Sequence, residues 1–411
     1  MKKIYILFIF TSITVCAQNK ILFDATKAET AGNADWVIDS DLFNLTFSGG
    51  PASIGGNESN PQRIPTPAQS GISASTSESY WKGALSAWAV DCVKNGYTVE
   101  TLPYNGQITF GNSSNVQDLS NYKLYIIDEP NIDFTPAERT AIISFVSNGG
   151  RLFIISDHNI SDRNGDGIDS PVILNNLMSL NSIQANPFGI TFDNNNISVL
   201  TSNVASTTSD PLLNGSYGNV TQMKYSNGST ITINTAQNAS VKGIVFNTGA
   251  STTGTTNVMC AYATFGSGKV VAIGDSSVPD DGSGDTGDSL YDGYIADASG
   301  NHQKLLMNAT VWLMTTALAN ENFDIDSFNF NIAPNPIQNK QINLSFNLIS
   351  SENVTISVID SLGRNVKEVK KINSSSGTNY KTIDASDLES GIYFCKISTD
   401  TGSKILQVIV E

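Results

Sequence analysis

Residues 118–159 read DLSNYKLYIIDEPNIDFTPAERTAIISFVSNGGRLFIISDHN, with two apolar runs on either side of a helical segment. The runs at 122–127 and 151–155 have the length and composition of buried strands. Between them, Thr135 is placed to cap a helix, with Pro136 at its first position and Glu138 in its first turn. The helix is predicted to run to residues 147–150, where asparagine and glycine favour termination. This stretch therefore predicts a strand–helix–strand unit.

Comparable segments lie on both sides of this unit. Further strands are predicted at 21–23, 97–102 and 269–273, and further helices at 80–94 and 304–318. Short apolar strands alternating with amphipathic helices indicate a mostly parallel sheet flanked by helices. Polar segments at 46–79 and 192–256 interrupt this order, and alternating runs in the second predict inserted strands. We therefore predict an α/β core domain of the flavodoxin-like kind, with β insertions, over residues 18–320.

The segment from Asp118 to Asn159 also carries a family resemblance. Its strand, the helix start at 134–138, the Gly149-Gly150 pair and the second strand resemble the class I glutamine amidotransferase-like superfamily, which includes ThuA-like and non-catalytic relatives. The resemblance implies an amidotransferase-like fold. In that superfamily a nucleophilic cysteine follows such a strand, whereas this chain has Asp157 and His158 there. Glutaminase chemistry is therefore not implied.

The first 17 residues have the order of a secretory signal peptide. Two lysines precede an apolar run at 4–15, which is followed by the small residues Cys16 and Ala17. We expect cleavage after Ala17; a lipoprotein signal with an acylated Cys16 is the alternative. No later stretch approaches the roughly 18–20 apolar residues of a membrane helix, so no membrane span is predicted.

Composition excludes one large class of partner. The chain has 411 residues, a net charge of −15 and only 23 scattered lysines and arginines. Nucleic-acid binding requires a basic patch, so it is not expected. The acidic surplus favours cation binding instead. The cysteines that follow the signal peptide have neither disulfide-framework nor zinc-site spacing, and we expect them to be buried apolar residues.

Residues 332–411 form a module of different character, reached through a linker at 321–331. Alternating apolar and polar residues predict a small antiparallel β-sandwich. Its ordered motifs are Pro334-Asn335-Pro336, Val358-Ile359-Asp360, Gly363-Arg364-Asn365-Val366, Leu388-Glu389-Ser390-Gly391 and Gly402-Ser403-Lys404. This set resembles the type A sorting domain of the type IX (Por) secretion system of Bacteroidetes. The resemblance implies export by the type IX secretion machinery and a secreted or cell-surface location; a carbohydrate-binding or fibronectin-like sandwich is the alternative.

One loop has the pattern of a calcium ligand set. Asp162, Asn164 and Asp166 bear oxygen at every second position, with glycines between them and Asp169 beyond. This resembles the first half of an EF-hand loop and predicts calcium as a cofactor. The twelfth position from Asp162 is Ile173, so the bidentate glutamate is missing. The alternative is a solvated turn.

A candidate catalytic group follows from the strand ends. Asp157, His158 and Asp275 follow predicted strands, and His302 precedes the last core helix. Ligands bind at the carboxyl edge of such sheets, and histidine there is suited to act as a general base. If the sheet order resembles that of the superfamily, Asp24, Asp128 and Glu129 converge with them. The second acidic stretch, residues 275–292, favours a bound cation or a solvated loop.

Several chemistries remain open for this group. Paired carboxylates serve glycoside hydrolysis, and the same residues with a metal ion activate water against an ester or phosphoester. A serine nucleophile at Ser276 or Ser277, with Asp275 and His302 as partners, lacks a G-x-S-x-G motif. We therefore expect a secreted calcium-binding hydrolase of an extracellular polymer, a glycan or a glycan-borne ester. The alternative is a non-catalytic, calcium-stabilised surface binding protein.

Overall fold

The structure is a computed structural model that describes residues 19–30, 35–40, 45–46, 53–54, 68–207, 209–283, 291–315, 330–348, 351–360, 364–398 and 403–411. The chain divides into two compact units, Met1–Thr315 and Thr316–Glu411. The predicted signal peptide at 1–17 and residues 321–329 of the predicted linker lie outside the described residues.

The first unit contains fifteen described strands and four α-helices. The strands are β1 (Lys20–Asp24), β2 (Leu45–Thr46), β3 (Ser53–Ile54), β4 (Thr98–Leu102), β5 (Leu124–Asp128), β6 (Arg151–Ile155), β7 (Ile190–Phe192), β8 (Ile197–Thr201), β9 (Asn214–Gly215), β10 (Gly218–Asn219), β11 (Met223–Gly228), β12 (Ile231–Ile233), β13 (Lys242–Phe246), β14 (Val258–Phe265) and β15 (Gly268–Ile273). The helices are α1 (Ser86–Lys94), α2 (Pro136–Ser147), α3 (Ser170–Ser179) and α4 (His302–Met314), with 3₁₀ turns at Glu78–Tyr80 and Leu119–Asn121.

The main sheet is mixed, with a parallel core. Its order is β4-β1-β5-β6-β15-β14-β12-β7, and β13 also pairs with β14. The pairs β4–β1, β1–β5, β5–β6 and β6–β15 are parallel, whereas β14 runs antiparallel to β15. The predicted α/β character and the inserted strands are therefore confirmed. The parallel part is limited to five adjacent strands.

Helix α2 begins as its sequence predicts. The Thr135 hydroxyl accepts the Glu138 backbone N–H, and the Glu138 carboxylate accepts the Thr135 backbone N–H at 2.7 Å. This capping box and Pro136 satisfy the requirements of the first helical turn. Lys27 donates to both Glu138 carboxylate oxygens at 2.8 Å, which joins the helix start to the loop after β1.

Helix α1 begins six residues later than predicted, at Ser86. The residues before it form backbone hydrogen bonds to a distant segment: Gly83 donates to Ile38, Ala84 to Asp35 and Leu85 to Val37. A side chain at Gly83 would meet the Val37 carbonyl oxygen at 1.9 Å. Close approach to another chain segment therefore overrides the helical pattern of residues 80–85. Helix α3, which the sequence analysis did not predict, follows Asp169.

Strand alternation assigns the two faces of the parallel sheet. Ile126, Ile155 and Ile273 belong to one hydrophobic cluster, which also contains the buried side chain of Trp88 from α1. Leu22, Ile127 and Ile154 belong to the cluster on the other face. Each face is therefore covered, as a parallel sheet requires.

The second unit is entirely β in its described residues. Its strands are β16 (Asn331–Ile332), β17 (Gln341–Leu348), β18 (Glu352–Ile359), β19 (Asn365–Ser374), β20 (Gly377–Asp384), β21 (Gly391–Ser398) and β22 (Ser403–Val410). They form two antiparallel sheets, β16-β17-β20 and β19-β18-β21-β22. Alternate residues of β17 and β18, such as Ile342 and Leu344 in the first and Val354 and Ile356 in the second, share one hydrophobic cluster. This confirms the predicted small antiparallel β module.

Candidate functional site

The acidic residues after the parallel strands gather at the carboxyl edge, by which we mean the ends of β1, β5, β6 and β15 with the loops that follow them. Asp128, Asp157 and Asp275 each lie two positions after an isoleucine of the first cluster, so alternation directs them toward that face. Asp24 follows Leu22 of the opposite cluster and therefore turns toward the other face. The acidic residues at the ends of β5, β6 and β15 therefore converge as expected, whereas Asp24 at the end of β1 faces the opposite side of the sheet.

Backbone strain is concentrated at this edge. Apart from glycine and asparagine, the described residues of the first unit with positive φ are Ala28 at 53°, Glu129 at 40° and Ile160 at 68°. All three lie in loops that follow parallel strands. The left-handed region is costly for residues with a Cβ, and above all for a β-branched side chain such as that of Ile160. Such strain persists where surrounding contacts impose it, and it clusters at functional sites.

Glu129 is the best-bonded carboxylate of the edge. One of its oxygens accepts the Trp36 indole N–H at 2.7 Å and the Ser276 hydroxyl at 2.6 Å. The other accepts Arg163 Nε at 3.2 Å. Three donors therefore surround a fully buried carboxylate. The left-handed backbone of Glu129 directs its side chain into this group of donors.

Its neighbour Asp128 has the opposite environment. The side chain is 2% exposed, and neither carboxylate oxygen has a hydrogen-bond partner among the described residues. Burial raises the pKa of Asp128 well above its ordinary value, and the charges of Glu129, Asp275 and Asp280 raise it further. Adjacent carboxyl groups therefore differ in their hydrogen bonding: Glu129 has three donors, whereas Asp128 has none among the described residues.

Asp157 and His158 lie side by side after β6. Asp157 Oδ2 lies 3.5 Å from His158 Nε2 and 3.3 Å from an Arg163 guanidinium nitrogen. Burial raises the pKa of Asp157 well above its ordinary value, the charges of Glu129 and Asp275 add to this, and Arg163 opposes it. His158 Nδ1 contacts the Asn159 carbonyl oxygen, which only accepts hydrogen bonds. In a neutral ring this contact would assign the proton to Nδ1 and leave the lone pair on Nε2.

The carboxylates of the second acidic stretch, residues 275–292, accept hydrogen bonds from different parts of the chain. Asp275 accepts the backbone N–H groups of Ser226 and Ser277, and burial raises its pKa to about 7. Asp280 accepts backbone N–H groups and also has a pKa raised to about 7 by burial. Asp281 accepts the Ala87 N–H at 2.5 Å in the first turn of α1. Asp285 and Asp288 lie outside the described residues.

The carboxylates of the predicted calcium loop accept hydrogen bonds from backbone N–H groups of the same loop. Asp162 accepts the backbone N–H groups of residues 165, 166 and 167 at 2.7, 3.2 and 2.8 Å. Asp166 accepts the Ile168 N–H at 3.0 Å, and Asp169 accepts the Ile160 N–H at 3.0 Å. Within the described part of the chain, no group of three or more His, Cys, Asp or Glu side chains has an arrangement that could hold a metal ion. Calcium therefore stays a prediction.

The same loop has a second consequence for the edge. Asn164 donates to the Asn131 carbonyl oxygen at 2.7 Å, which ties the loop to the turn after β5. Arg163 extends from this anchored loop and bridges Glu129 and Asp157. The loop thus supplies the cation that links two carboxylates of the edge.

His302 is not brought to Asp157. Its Nδ1 lies 2.9 Å from the Gly293 carbonyl oxygen and its Nε2 lies 2.8 Å from the Lys224 carbonyl oxygen. Burial lowers the pKa of His302, whereas the hydrogen bonds to the two backbone carbonyl oxygens oppose this shift. These contacts fix the start of α4 against β11. His158 is therefore the histidine that the structure places with the carboxylates.

The sequence did not predict the contacts of Trp36, Arg163 and Ser276 with Glu129. Trp36 and Arg163 lie in loops whose positions depend on long-range packing, and no local spacing signals their contact with Glu129. Ser276 was considered as a nucleophile, but its hydroxyl donates to Glu129 at 2.6 Å, and the residue is 2% exposed. A buried hydroxyl that donates to the Glu129 carboxylate supports that side chain rather than serving as a nucleophile.

Comparisons with known proteins identify the C-terminal module. Residues 331–411 match the secretion system C-terminal sorting domain family. The protein is therefore a secreted or cell-surface protein with a type IX sorting tail, and the predicted partnership with the secretion machinery is supported. Among the described residues, no helix is long and apolar enough to cross a membrane.

The remaining comparisons are weak. No curated protein matches the chain. The mmIFT52 N-terminal domain is 14% identical, with 72% of this chain and 99% of that chain covered and a TM-score of 0.41. A DUF3244 protein with an immunoglobulin-like β-sandwich from Bacteroides vulgatus is 18% identical. The match covers 21% of this chain and 88% of that chain, with a TM-score of 0.18. PorZ of Porphyromonas gingivalis, a surface component of the type IX system, is 13% identical, with 46% and 21% covered and a TM-score of 0.16. At these values the similarities assign no function.

Proposed function

We propose that the first unit is a hydrolase of an extracellular polymer, a glycan or a glycan-borne ester, with its reaction centre at the carboxyl edge. The observation that carries the proposal is the coincidence of backbone strain at Ala28, Glu129 and Ile160 with buried carboxyl groups of raised pKa. Both features are typical of catalytic sites. Export by a type IX tail is consistent with a substrate outside the cell.

In the proposed mechanism, His158 acts as the general base. Its Nε2 lone pair accepts a proton from water, and the water oxygen attacks the carbonyl or anomeric carbon of the substrate. The bond to the leaving oxygen breaks, and that oxygen takes a proton from Asp157, whose raised pKa favours the protonated carboxyl group. Glu129, through Arg163, holds Asp157 in position.

The fold resemblance belongs to the same proposal. We infer an amidotransferase-like ancestry in which carboxylate and imidazole groups have replaced the thiol nucleophile. Support comes from the cysteines: Cys92 and Cys260 are fully buried, and burial raises the pKa of both thiols. A reactive thiolate requires the opposite environment.

The experiment uses the mature protein on a panel of chromogenic glycosides, aryl esters and acetylated polysaccharides. His158→Ala is expected to lower kcat by about 100-fold or more with the melting temperature unchanged, since a general base contributes about 10²–10⁴-fold. Asp157→Asn is expected to act in the same direction. Asp193→Asn, a half-buried carboxylate bonded to Thr230 and Thr232, is the matched control and should retain activity. Full turnover by His158→Ala would contradict the proposal.

A non-catalytic, calcium-stabilised surface binding protein is the second candidate. It is favoured by the near-complete burial of Asp128, Glu129, Asp157 and Asp275, which limits direct contact with a polymer. Under this candidate the wild type hydrolyses nothing in the panel. Retention of the intact protein on an insoluble glycan, equal for wild type and His158→Ala, would then support binding alone.

A further inference from the structure

A cavity of about 400 Å³ lies on the antiparallel flank of the main sheet, apart from the carboxyl edge. Residues of β12, β13 and β14 form it together with the loops around them. Its floor is apolar and includes Ile233, Val241, Ile244 and Phe246. Clefts that bind small ligands have volumes of about 300–1,000 Å³ and combine an apolar floor with a few polar groups.

The walls of the cavity are rich in hydroxyl groups. The lining residues that bear an aliphatic hydroxyl are Thr207, Ser209, Thr235, Thr252, Thr253 and Thr255. A hydroxyl both donates and accepts hydrogen bonds, and it rotates to suit its partner. Such walls match a ligand that presents hydroxyl groups in several directions. A purely apolar ligand would leave these groups unpaired.

One carboxylate in the lining is fixed before any ligand arrives. Asp210 accepts the backbone N–H groups of Leu212 and Leu213 at 3.0 and 3.3 Å, and it accepts the Tyr262 hydroxyl at 2.8 Å. Asp210 is only 8% exposed, so its position costs no further ordering on binding. Carboxylates are strong acceptors for ligand hydroxyl groups.

The charged residues of the lining also limit the net charge of a ligand that could bind there. Lys242 is exposed, with its Nζ 5.9 Å from the centre of the Tyr262 ring. One ammonium group and one carboxylate balance each other among the described lining residues. A phosphate or polyanion would require additional cations near it. A neutral ligand fits this balance better.

We propose that this cavity binds a neutral sugar unit of an extracellular glycan. Ring carbons contact the apolar floor, while sugar hydroxyls bond to the threonine walls, Asp210 and Lys242. The site is separate from the carboxyl edge, so the proposal does not depend on hydrolysis there.

The test titrates the full mature chain with neutral trisaccharides of glucose, galactose, mannose and N-acetylglucosamine, up to about 20 mM, by NMR and calorimetry. At least one should bind. Lys242→Met should weaken that binding by about tenfold by removing a donor, and Thr253→Trp should weaken it at least as much by filling the mouth. Lys82→Met, at an exposed lysine outside the lining, is the matched control and should bind as the wild type does.

The outcomes separate this proposal from the proposed hydrolase. His158→Ala should keep sugar binding whether or not it loses turnover. Absence of binding for every trisaccharide would overturn the proposal, as would equal binding by the two cavity variants and the wild type. Binding of inorganic phosphate alone, abolished by salt, would also overturn it.

Discussion

Ile160 combines two features that folded proteins avoid. It is a β-branched residue with φ of 68°, and its side chain is 83% exposed. Neither packing nor a local side-chain hydrogen bond accounts for an isoleucine there, since asparagine or glycine would adopt this backbone at lower cost. It lies between His158 and the Asp162 loop, beside the proposed reaction centre.

Replacing Ile160 by asparagine should therefore stabilise the protein. Relief of left-handed strain is expected to raise the free energy of unfolding by about 1 kcal/mol, and the melting temperature by about 2 °C. Val116→Asn is the matched control, because Val116 is β-branched and 87% exposed but has no positive φ. A stability gain of equal size in both variants would show that backbone strain is not its cause.

Asp128 and Asp118 provide a contrast in how a buried carboxylate is tolerated. Burial alone raises the pKa of Asp118, but hydrogen bonds from Ser120, Thr109 and Asn112 outweigh it and lower that pKa to about 2. Asp128 has no such donors among the described residues. Hydrogen-bond donors thus lower the pKa of Asp118, whereas burial and the charges of neighbouring carboxylates raise that of Asp128.

The stability effects of these two residues should have opposite signs. The folded-state pKa of Asp128 is raised, so its contribution to stability is present at low pH and is lost as pH rises. Asp128→Asn should therefore raise the free energy of unfolding above that of the wild type, and this gain should be at least about 1 kcal/mol larger at about pH 8 than at about pH 5. Asp118→Asn should lower the free energy of unfolding by about 1.5–3 kcal/mol at both pH values, because its pKa of about 2 leaves the hydrogen-bonded charge present throughout this range. Chemical denaturation of each variant at both pH values measures the difference, and a pH-independent effect of Asp128→Asn would contradict the assignment.

The loop that carries Asp162, Asn164, Asp166 and Asp169 has its own internal hydrogen bonds and connects to the carboxyl edge. It folds around the Asp162 carboxylate, is tied to the turn after β5, and extends Arg163 to the edge. If calcium binds there, the loop and the position of Arg163 depend on the ion. Calcium binding would then affect the proposed reaction centre through the position of Arg163.

We expect calcium to raise the melting temperature of the native protein. An ion that binds only the folded state stabilises by about 2.7 kcal/mol at about 100 times its Kd. Scanning calorimetry with about 2 mM calcium, taken as an ordinary extracellular level, is compared with scanning in chelator. Asp162→Asn with Asp166→Asn should remove the shift, whereas Asp193→Asn should keep it. Identical curves for the wild type under both conditions would exclude calcium binding at this loop.

The whole molecule consists of two units with separate hydrophobic interiors. The described core residues of the first unit lie between Ile21 and Met314, and those of the second lie between Phe330 and Val410. Because each unit buries its own apolar residues, each satisfies the main requirement for independent folding. The sorting family covers only the second of them.

Deleting residues 330–411 should separate export from folding. In a host with a type IX secretion system, the full chain is expected in the outer membrane or medium and the truncated chain inside the cell. The truncated protein should melt within about 2 °C of the matching transition of the full chain, since its core is intact. Secretion of the truncated chain at the wild-type level would contradict the role of the tail.

Local sequence determined the features that depend on neighbours along the chain. The Thr135–Glu138 capping box, the strands at 122–127 and 151–155 and the alternating β module follow from spacing alone, because helix caps and strand periodicity involve only a few adjacent residues. The meeting of Asp157 with His158 was predictable for the same reason. Family motifs in the last 80 or so residues also identified the export route.

Tertiary structure alone decided the rest. It turned Asp24 to the opposite face, placed Trp36, Arg163 and Ser276 around Glu129, and held His302 between two backbone carbonyls. Each of these contacts joins residues that are not neighbours in sequence, so no local pattern encodes it. The left-handed backbone of Glu129 and Ile160 is likewise imposed by surrounding contacts, against the preference of the residues themselves.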